Sequence, residues 1–325
     1  MPWFDLPLEQ LRDYRTDTAE PPELDAWWRR RLDEARAAAR EPALTRHEAA
    51  MYAPVEVYDT EFSGAGGDRI RAWYLRPAGA DAARTVVKFI GYGGGRGLPV
   101  EHALLPALGY TLFVMDIRGQ GGRWSTGATA DQAVQGSGPG AGPENSTVMT
   151  RGIGRPEDYY FTRLLTDAVR AVETGRELTG AAKVAVTGAS QGGGLALAAA
   201  ALVPELVSVC HSDVPFLCDI QRAITLSPGA PYTEVPEFLA RNVDLIPAAL
   251  DTLRYVDCAL LARRITAPSL VSVGLMDMTC PPSTVFAAYN EIGAPKDLSV
   301  HPYTGHVVPA AHVERQLRHL REHLG

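Results

Sequence analysis

The chain has 325 residues, 46% of them hydrophobic, so it is long enough and apolar enough to bury a large core. Its formal net charge of −7 argues against nucleic acid as a partner, and no apolar run is long enough to predict a membrane-spanning helix. The four cysteines form no C-x-x-C pair and residues 1–5 show no leader pattern, so we expect a cytoplasmic protein with reduced thiols.

Residues 1–45 are predicted to form an N-terminal helical arm. Apolar residues recur there at helical spacing, namely Leu24, Trp27, Trp28, Leu32 and Ala35. Two segments with alternating apolar residues, 55–62 and 69–76, flank a glycine-rich turn. This pattern predicts a β-hairpin before the main body of the chain.

Short apolar runs at 85–90 and 111–115 predict buried strands, with a helix over 102–108 between them. The first strand ends in the glycine-rich segment 91–95, where a second donor to an oxyanion is expected. The second strand leads into a turn that contains Arg118. From its position, Arg118 either ties loops together around a site or lies on the surface.

Residues 125–147 are rich in Gly, Ser, Thr and Pro and lack periodicity, so they predict a long surface loop. A helix of about 20 residues is predicted to begin at Arg155-Pro156 and to end near Leu178. This helix precedes the segment that carries the strongest functional signal.

Residues 183–201 combine an apolar strand, the sequence G-A-S-Q-G at 188–192, and an alanine- and leucine-rich helix. A G-x-S-x-G motif between strand and helix is typical of a nucleophilic serine on a strained turn. Ser190 occupies the apex, and the backbone N–H of Gln191 begins the helix, where it can donate to an oxyanion. The alternative is a glycine-rich turn with an idle serine.

A further strand is predicted at 206–210. Residues 219–264 are predicted to form helices broken by prolines, as an insertion that covers the pocket like a lid. The remaining segments alternate between strand and helix: strand 268–274, helix 281–292, strand 298–303 and helix 309–324.

Strands that alternate with helices predict a mostly parallel sheet, with the ligand site beyond the carboxyl ends of the strands. Three polar residues follow such ends in the order Ser190, Asp277, His306, which is the order of the α/β-hydrolase triad. Imidazole can activate the serine, and a carboxylate can fix the imidazole tautomer. Asp213, at the end of another strand, is an alternative acid.

We therefore predict a single α/β-hydrolase domain over 1–325, with antiparallel N-terminal strands and a mostly parallel central sheet flanked by helices. The arm at 1–45 and the insertion at 219–264 belong to this domain. The histidines outside the terminal helix show no close ligand spacing with a carboxylate, so no metal site is expected.

The chain resembles the acetyl xylan esterase and cephalosporin C deacetylase family, carbohydrate esterase family 7, over essentially its whole length. The most specific segments are R-G-Q at 118–120 and P-P-S-T-V-F-A-A-Y-N at 281–290. G-A-S-Q-G at 188–192, G-L-M-D at 274–277 and His306 also match.

The resemblance implies an esterase that deacetylates short acetylated xylo-oligosaccharides and cephalosporin C without a metal or organic cofactor, inside the cell and as a hexamer. It implies that Ser190 is the nucleophile, His306 the base and Asp277 the orienting acid. It also implies that the backbone N–H groups of Tyr92 and Gln191 stabilise the oxyanion. The alternatives are a general short-chain carboxylesterase and, least favoured, a non-catalytic hydrolase-like binding protein.

Overall fold

The structure, a computed structural model, describes residues 3–47, 51–52, 54–79, 81–132 and 148–324. Strands within these ranges form one nine-stranded sheet. They are β1 (Ala43–Arg46), β2 (Val55–Ser63), β3 (Arg69–Pro77), β4 (Thr85–Phe89), β5 (Thr111–Met115), β6 (Val184–Ala189), β7 (Val207–Asp213), β8 (Ser269–Gly274) and β9 (Lys296–His301).

The strand order is β1-β2-β3-β5-β4-β6-β7-β8-β9. The pairs that join β1, β2, β3 and β5 are antiparallel, and every pair from β5 through β4 to β9 is parallel. Parallel strands have their carboxyl ends at one edge of the sheet, so the loops that leave β4, β6, β8 and β9 converge there. The predicted hairpin and the mostly parallel central sheet are confirmed.

The helices in the described residues are α1 (Leu8–Leu11), α2 (Leu24–Ala37), α3 (Leu104–Ala107), α4 (Tyr160–Thr179), α5 (Gln191–Leu202), α6 (Ile220–Leu226), α7 (Glu234–Leu239), α8 (Ile246–Arg254), α9 (Cys258–Leu261), α10 (Pro282–Glu291) and α11 (Ala310–Leu324). Helices α4 and α5 pack on one face of the sheet, and α3 and α11 pack on the other. Alternation along β4 directs neighbouring side chains to opposite faces. Val87 lies beside Gly175 of α4, and Lys88 borders a cavity that α3 and α11 line.

The N-terminal arm is bound across residues that are distant in sequence. All five apolar residues predicted for the buried face of α2 are buried. The Trp28 indole donates to the carbonyl oxygen of Tyr255 at 2.8 Å, and the Asp5 carboxylate accepts from the backbone N–H of Ser283 at 2.7 Å. The prediction of a helical arm over residues 1–45 is wrong at its end, because residues 43–46 form the edge strand β1.

One helix begins later than predicted, and two prolines that were expected to break helices lie inside them. The helix expected from Arg155 begins at Tyr160, because residues 151–158 form successive turns and Gly152 has a positive φ of 74°. Pro236 and Pro247 lie in the first turns of α7 and α8 rather than between helices. The first helical turn tolerates proline because its backbone N–H groups lack intrahelical acceptors. Of the loop predicted at 125–147, residues 133–147 lie outside the described residues.

Candidate active site

Ser190 lies on the sharp turn between β6 and α5 with φ 58° and ψ −123°, a strained conformation for a residue with a side chain. A Cβ atom on Gly192 would lie 2.4 Å from the Phe89 carbonyl oxygen, so only glycine fits where the helix meets the sheet. The turn is held by backbone hydrogen bonds from Ser190 to Asp213 and from Phe216 to Ser190, each 2.9 Å long.

Asp277 and His306 form a hydrogen-bonded pair beyond β8 and β9. The Nδ1 atom of His306 lies 2.8 Å from Oδ2 of the fully buried Asp277. The other carboxylate oxygen accepts from the backbone N–H groups of Thr279 and Cys280 at 2.8 and 2.9 Å, which fixes its orientation. A proton on Nδ1 therefore satisfies the carboxylate and leaves Nε2 of His306 able to accept a proton. His306 and Ser190 line the same cavity, which measures about 540 Å³.

The structure also brings the backbone N–H groups of Tyr92 and Gln191 to this edge of the sheet. Tyr92 follows β4 and lines the cavity, and Gln191 begins α5 beside Ser190. Neither amide donates to an acceptor within the described ranges. Both are thus available to an oxyanion that forms on a substrate held at Ser190.

Tyr92 is fixed at both ends by residues that sequence reasoning did not identify. Its hydroxyl donates to the carboxylate of Glu234 on α7, with O–O distances of 2.8 and 3.1 Å. The indole N–H of Trp124 donates to the Tyr92 carbonyl oxygen at 2.9 Å. Burial, and then the charge of Glu234, raise the pKa of Tyr92, so its hydroxyl stays protonated and keeps donating.

Gln120 links the loop that follows Tyr92 to the side chain of Gln191. Its side-chain oxygen accepts from the backbone N–H of Gly93 at 2.7 Å, and its Nε2 atom donates to the Gln191 side chain at 2.9 Å. The same Nε2 donates to the hydroxyl of Tyr160 at 2.9 Å. The R-G-Q segment was noted in the sequence, but its spacing did not show what Gln120 contacts.

Arg118 is fully buried, so the surface interpretation is wrong and the loop-tying interpretation is confirmed. It makes two hydrogen bonds to Asp167 on α4, at 2.6 and 2.8 Å, and an ion pair with Asp68 at 2.9 Å. Burial alone would lower the pKa of Arg118, but Asp167, Asp68 and Asp131 raise it above its ordinary value. The guanidinium therefore holds the β2–β3 turn, α4 and the loop after β5 together and does not line the cavity.

Asp213, the alternative acid, is bound to a different histidine. Its Oδ1 atom lies 2.7 Å from Nε2 of His312 on α11 and accepts from the Ser272 hydroxyl at 2.8 Å. Its Oδ2 atom accepts from Gln316 at 2.7 Å. The structure thus pairs Asp277, not Asp213, with His306.

The insertion contributes Ala230 and Pro231 to the cavity wall, beside Trp124 and Val307, whose side chains are exposed. No group of three His, Cys, Asp or Glu side chains in the described part of the chain could hold a metal ion. Over the same ranges, every helix is too short or too polar to cross a bilayer. A strained serine and a carboxylate-bound imidazole in one cavity, with two free amides at the same sheet edge, can catalyse acyl transfer.

A family model described as acetyl xylan esterase (AXE1) matches residues 1–324. The solved acetyl xylan esterase from Paenibacillus sp. R4 is 31% identical with a TM-score of 0.89, covering 98% of this chain and 100% of that one. Acetyl xylan esterase 1 from Thermoanaerobacterium sp. JW/SL YS485 is 32% identical with a TM-score of 0.85, covering 98% and 99%. These likenesses confirm the predicted α/β-hydrolase fold.

One curated relative matches over a shorter stretch. Acetyl esterase Axe7A of Xylanibacter ruminicola is 32% identical over 160 residues, which make up 49% of this chain and 35% of that protein. The chain therefore aligns with about a third of that longer esterase.

Proposed function

Because the chain belongs to the acetyl xylan esterase family and is a carboxylic ester hydrolase, we propose that it removes acetyl groups from acetylated xylo-oligosaccharides through an acetyl-serine intermediate. The observation that carries the proposal is the 2.8 Å pair of His306 and Asp277, which shares a cavity with the strained Ser190. The small acetyl group fills only part of that cavity of about 540 Å³, so room remains for the saccharide.

In the first half-reaction, Nε2 of His306 takes the proton of the Ser190 hydroxyl as its oxygen attacks the acetyl carbonyl carbon. The N–H groups of Tyr92 and Gln191 stabilise the oxyanion of the tetrahedral intermediate. His306 then gives the proton to the departing saccharide oxygen. In the second half-reaction water attacks the acetyl-serine by the same route, which releases acetate and restores Ser190.

The decisive experiment measures acetate release from acetylated xylo-oligosaccharides and cephalosporin C, and turnover of p-nitrophenyl acetate, butyrate and octanoate. Ser190→Ala is expected to abolish acylation. Ser125→Ala is the matched control, because Ser125 lines the same cavity and its hydroxyl, among the described residues, bonds only to the Gly95 backbone. Ser190-dependent turnover confined to acetyl esters supports the proposal, and a preference for longer acyl chains supports a general carboxylesterase. Activity that survives in Ser190→Ala contradicts the assignment.

We propose cephalosporin C as a second acetyl ester that this site accepts, on the strength of the family resemblance alone. The ratio of its turnover to that of acetylated xylo-oligosaccharides tests this directly. Absence of Ser190-dependent acetate release from cephalosporin C would remove it as a substrate.

We further propose that the protein is cytoplasmic and assembles as a hexamer. The four cysteines are all free and buried, which suits a reducing compartment. Leu98, Val100, Leu104 and Leu108 expose apolar side chains along one short stretch, as a surface that associates with another copy would. Cell fractionation tests the first proposal and light scattering of the purified protein tests the second.

A further inference from the structure

The cavity that holds Ser190 has an unusual charge balance for an acidic protein. Among the described residues of its wall, Lys88 and Arg123 are cationic, and Glu101 is the carboxylate that faces them. Neither cation makes an ion pair within the described ranges. Because a charge that is removed from water normally needs a partner, the half-buried Lys88 is placed to bind an anion that enters the cavity.

The contacts of Lys88 define its free hydrogen-bond donors. Its ammonium lies 3.2 Å from Nδ1 of His102, and Nε2 of His102 lies 2.8 Å from the Arg96 carbonyl oxygen. A carbonyl oxygen only accepts, so Nε2 carries the proton and Nδ1 accepts from Lys88. Burial, and then the charge of Lys88, lower the pKa of His102 to about 4, which keeps the imidazole neutral. Lys88 thus uses one of its three N–H donors on a neutral group and keeps two.

Lys88 lies where two cavities meet. A second cavity of about 340 Å³ occupies the sheet face between α3 and α11 and shares Lys88, Glu101 and His102 with the first. The second cavity has one further carboxylate, Asp213, which is already bound by His312, Ser272 and Gln316. Glu101 is turned back onto its own turn, where it accepts from the backbone N–H of Leu98 at 2.9 Å. The Lys88 ammonium therefore has both free hydrogen-bond donors and open space beside it.

We propose that Lys88 anchors a subsite for a carboxylate on the alcohol half of the ester. Lys88 is paired in register with Thr187, three residues before Ser190, so the subsite lies about 10 Å from the nucleophile along the sheet. That span reaches past the small acetyl group to substituents on the alcohol half of the ester. A uronate substituent on a xylo-oligosaccharide and the aminoadipyl side-chain carboxylate of cephalosporin C share this chemistry. The inference rests on the proposed function and adds a charge requirement to it.

Burial lowers the pKa of Lys88, because desolvation disfavours the ammonium by more than the charge of Glu101 favours it. A bound carboxylate would offset this penalty through a charge-assisted hydrogen bond, which neutral saccharides cannot form. The subsite would therefore discriminate by charge rather than by size.

The experiment compares kcat/KM for substrate pairs that differ only in one charge. The first pair is an acetylated xylo-oligosaccharide with one glucuronosyl substituent and the same compound with that carboxyl group reduced to an alcohol. The second pair is cephalosporin C and the analogue in which its aminoadipyl side-chain carboxylate is a methyl ester. Wild type is expected to prefer the acidic member of at least one pair roughly tenfold or more, and the pair that shows this identifies the source.

Three variants test whether Lys88 causes the preference. Lys88→Met should bring the acidic-to-neutral ratio close to one. Glu101→Gln keeps an oxygen acceptor but removes the competing negative charge, so it should raise the ratio. Lys183→Met is the matched control, because it removes an equal charge from an exposed position at the start of β6 and should keep the wild-type ratio.

Two results overturn the proposal. One is a ratio near one for both pairs in wild type, which needs no variant to be measured and is unaffected by folding defects. The other is a ratio that falls equally in Lys88→Met and Lys183→Met, which would reflect net charge rather than a subsite. Ser190-dependent turnover of p-nitrophenyl acetate, measured alongside, tests the esterase function separately from this subsite.

Discussion

Asp213 and Asp277 are two buried carboxylates at the ends of neighbouring strands, and each is bound to its own histidine. Asp277 binds the cavity-lining His306, whereas Asp213 binds His312 on the terminal helix. The Asp277–His306 pair is thus placed for chemistry in the cavity, whereas the Asp213–His312 pair contributes to packing.

This contrast predicts opposite outcomes for the same substitution. Asp277→Asn should lower kcat by about 10³–10⁴ with little change in Tm, because the amide cannot hold the required imidazole tautomer. Asp213→Asn should lower Tm and keep most of kcat, because its buried hydrogen bonds do not reach His306. Steady-state kinetics and thermal unfolding of both variants check this, and equal losses of kcat would contradict the pairing.

Glu234 holds the Tyr92 hydroxyl and does not line the cavity, so it positions Tyr92. Glu234→Ala and Tyr92→Phe each break the same hydrogen bond, so each should lower kcat by roughly tenfold, while KM for a small ester stays near its wild-type value. The double variant should be no worse than either single one, since the two residues act as a unit. Additive losses in this cycle would show that Glu234 acts elsewhere, and Glu237→Ala on the same helix is the control.

The sequence predicts the triad because each member follows a strand end, where chain order alone is informative. It does not predict Glu234 or Gln120 as contacts of the oxyanion loop. The Tyr92–Glu234 hydrogen bond joins residues 142 apart, and the Gln120–Gln191 bond joins residues 71 apart. Such contacts depend on how loops pack over the sheet edge, which local periodicity does not encode.

At the scale of elements, the approach of α5 to β4 and β6 sets the position of the nucleophile. Gly192→Ala should disrupt it, because the new methyl group would lie 2.4 Å from the Phe89 carbonyl oxygen, within the backbone of β4. We expect a loss of about 2–4 kcal/mol in unfolding free energy, together with most of the activity.

Gly154→Ala is the control for that substitution, since nothing lies within 4 Å of the added methyl group. Urea denaturation and turnover of both variants provide the measurement. A Gly192→Ala protein with wild-type stability and kcat would show that α5 can shift without moving Ser190.

The elements that were predicted incorrectly share a physical cause. Strand β1 has four exposed residues and pairs only along one edge, so it carries no alternating pattern to detect. Pro236 and Pro247 were interpreted as helix breaks, yet they begin helices, because the same residue suits a first turn and opposes an interior. Strong periodicity was enough to predict α2 and the core strands. The edge strand and the prolines in first helical turns could be assigned only from the folded structure.

Across the whole molecule, Asp131 connects the loop after β5 to α4. Burial alone would raise the pKa of Asp131, but hydrogen bonds and charge from Arg163, then from Arg151 and Arg118, lower it to about 2. Because the carboxyl pKa is lower in the folded protein, the ionised Asp131 stabilises the fold at pH values above 3.8, its ordinary pKa. This stabilisation is lost as the pH falls from that value toward 2.

We therefore expect Asp131→Asn to have a lower free energy of unfolding than wild type at pH 7. This difference between the two proteins should narrow as the pH falls below 4. Urea unfolding at a series of pH values measures this gap. For Asp297→Asn, at an exposed position, we expect the difference in unfolding free energy from wild type to show no comparable change with pH. A gap that stays constant down to pH 3 would mean that the arginines do not stabilise the Asp131 carboxylate.

The N-terminal arm has a consequence for the order of events on the ribosome. Trp28 precedes its partner Tyr255 by 227 residues. At a synthesis rate of about 5–20 residues per second, roughly 10–45 s pass between the two. During that interval α2 can already pack on α4, and Trp27 can donate to Glu157 just before that helix, but the Trp28 indole lacks its acceptor. Because Asp5 also waits for Ser283, the arm completes its docking only after the insertion has emerged, which makes that docking a late step of biogenesis.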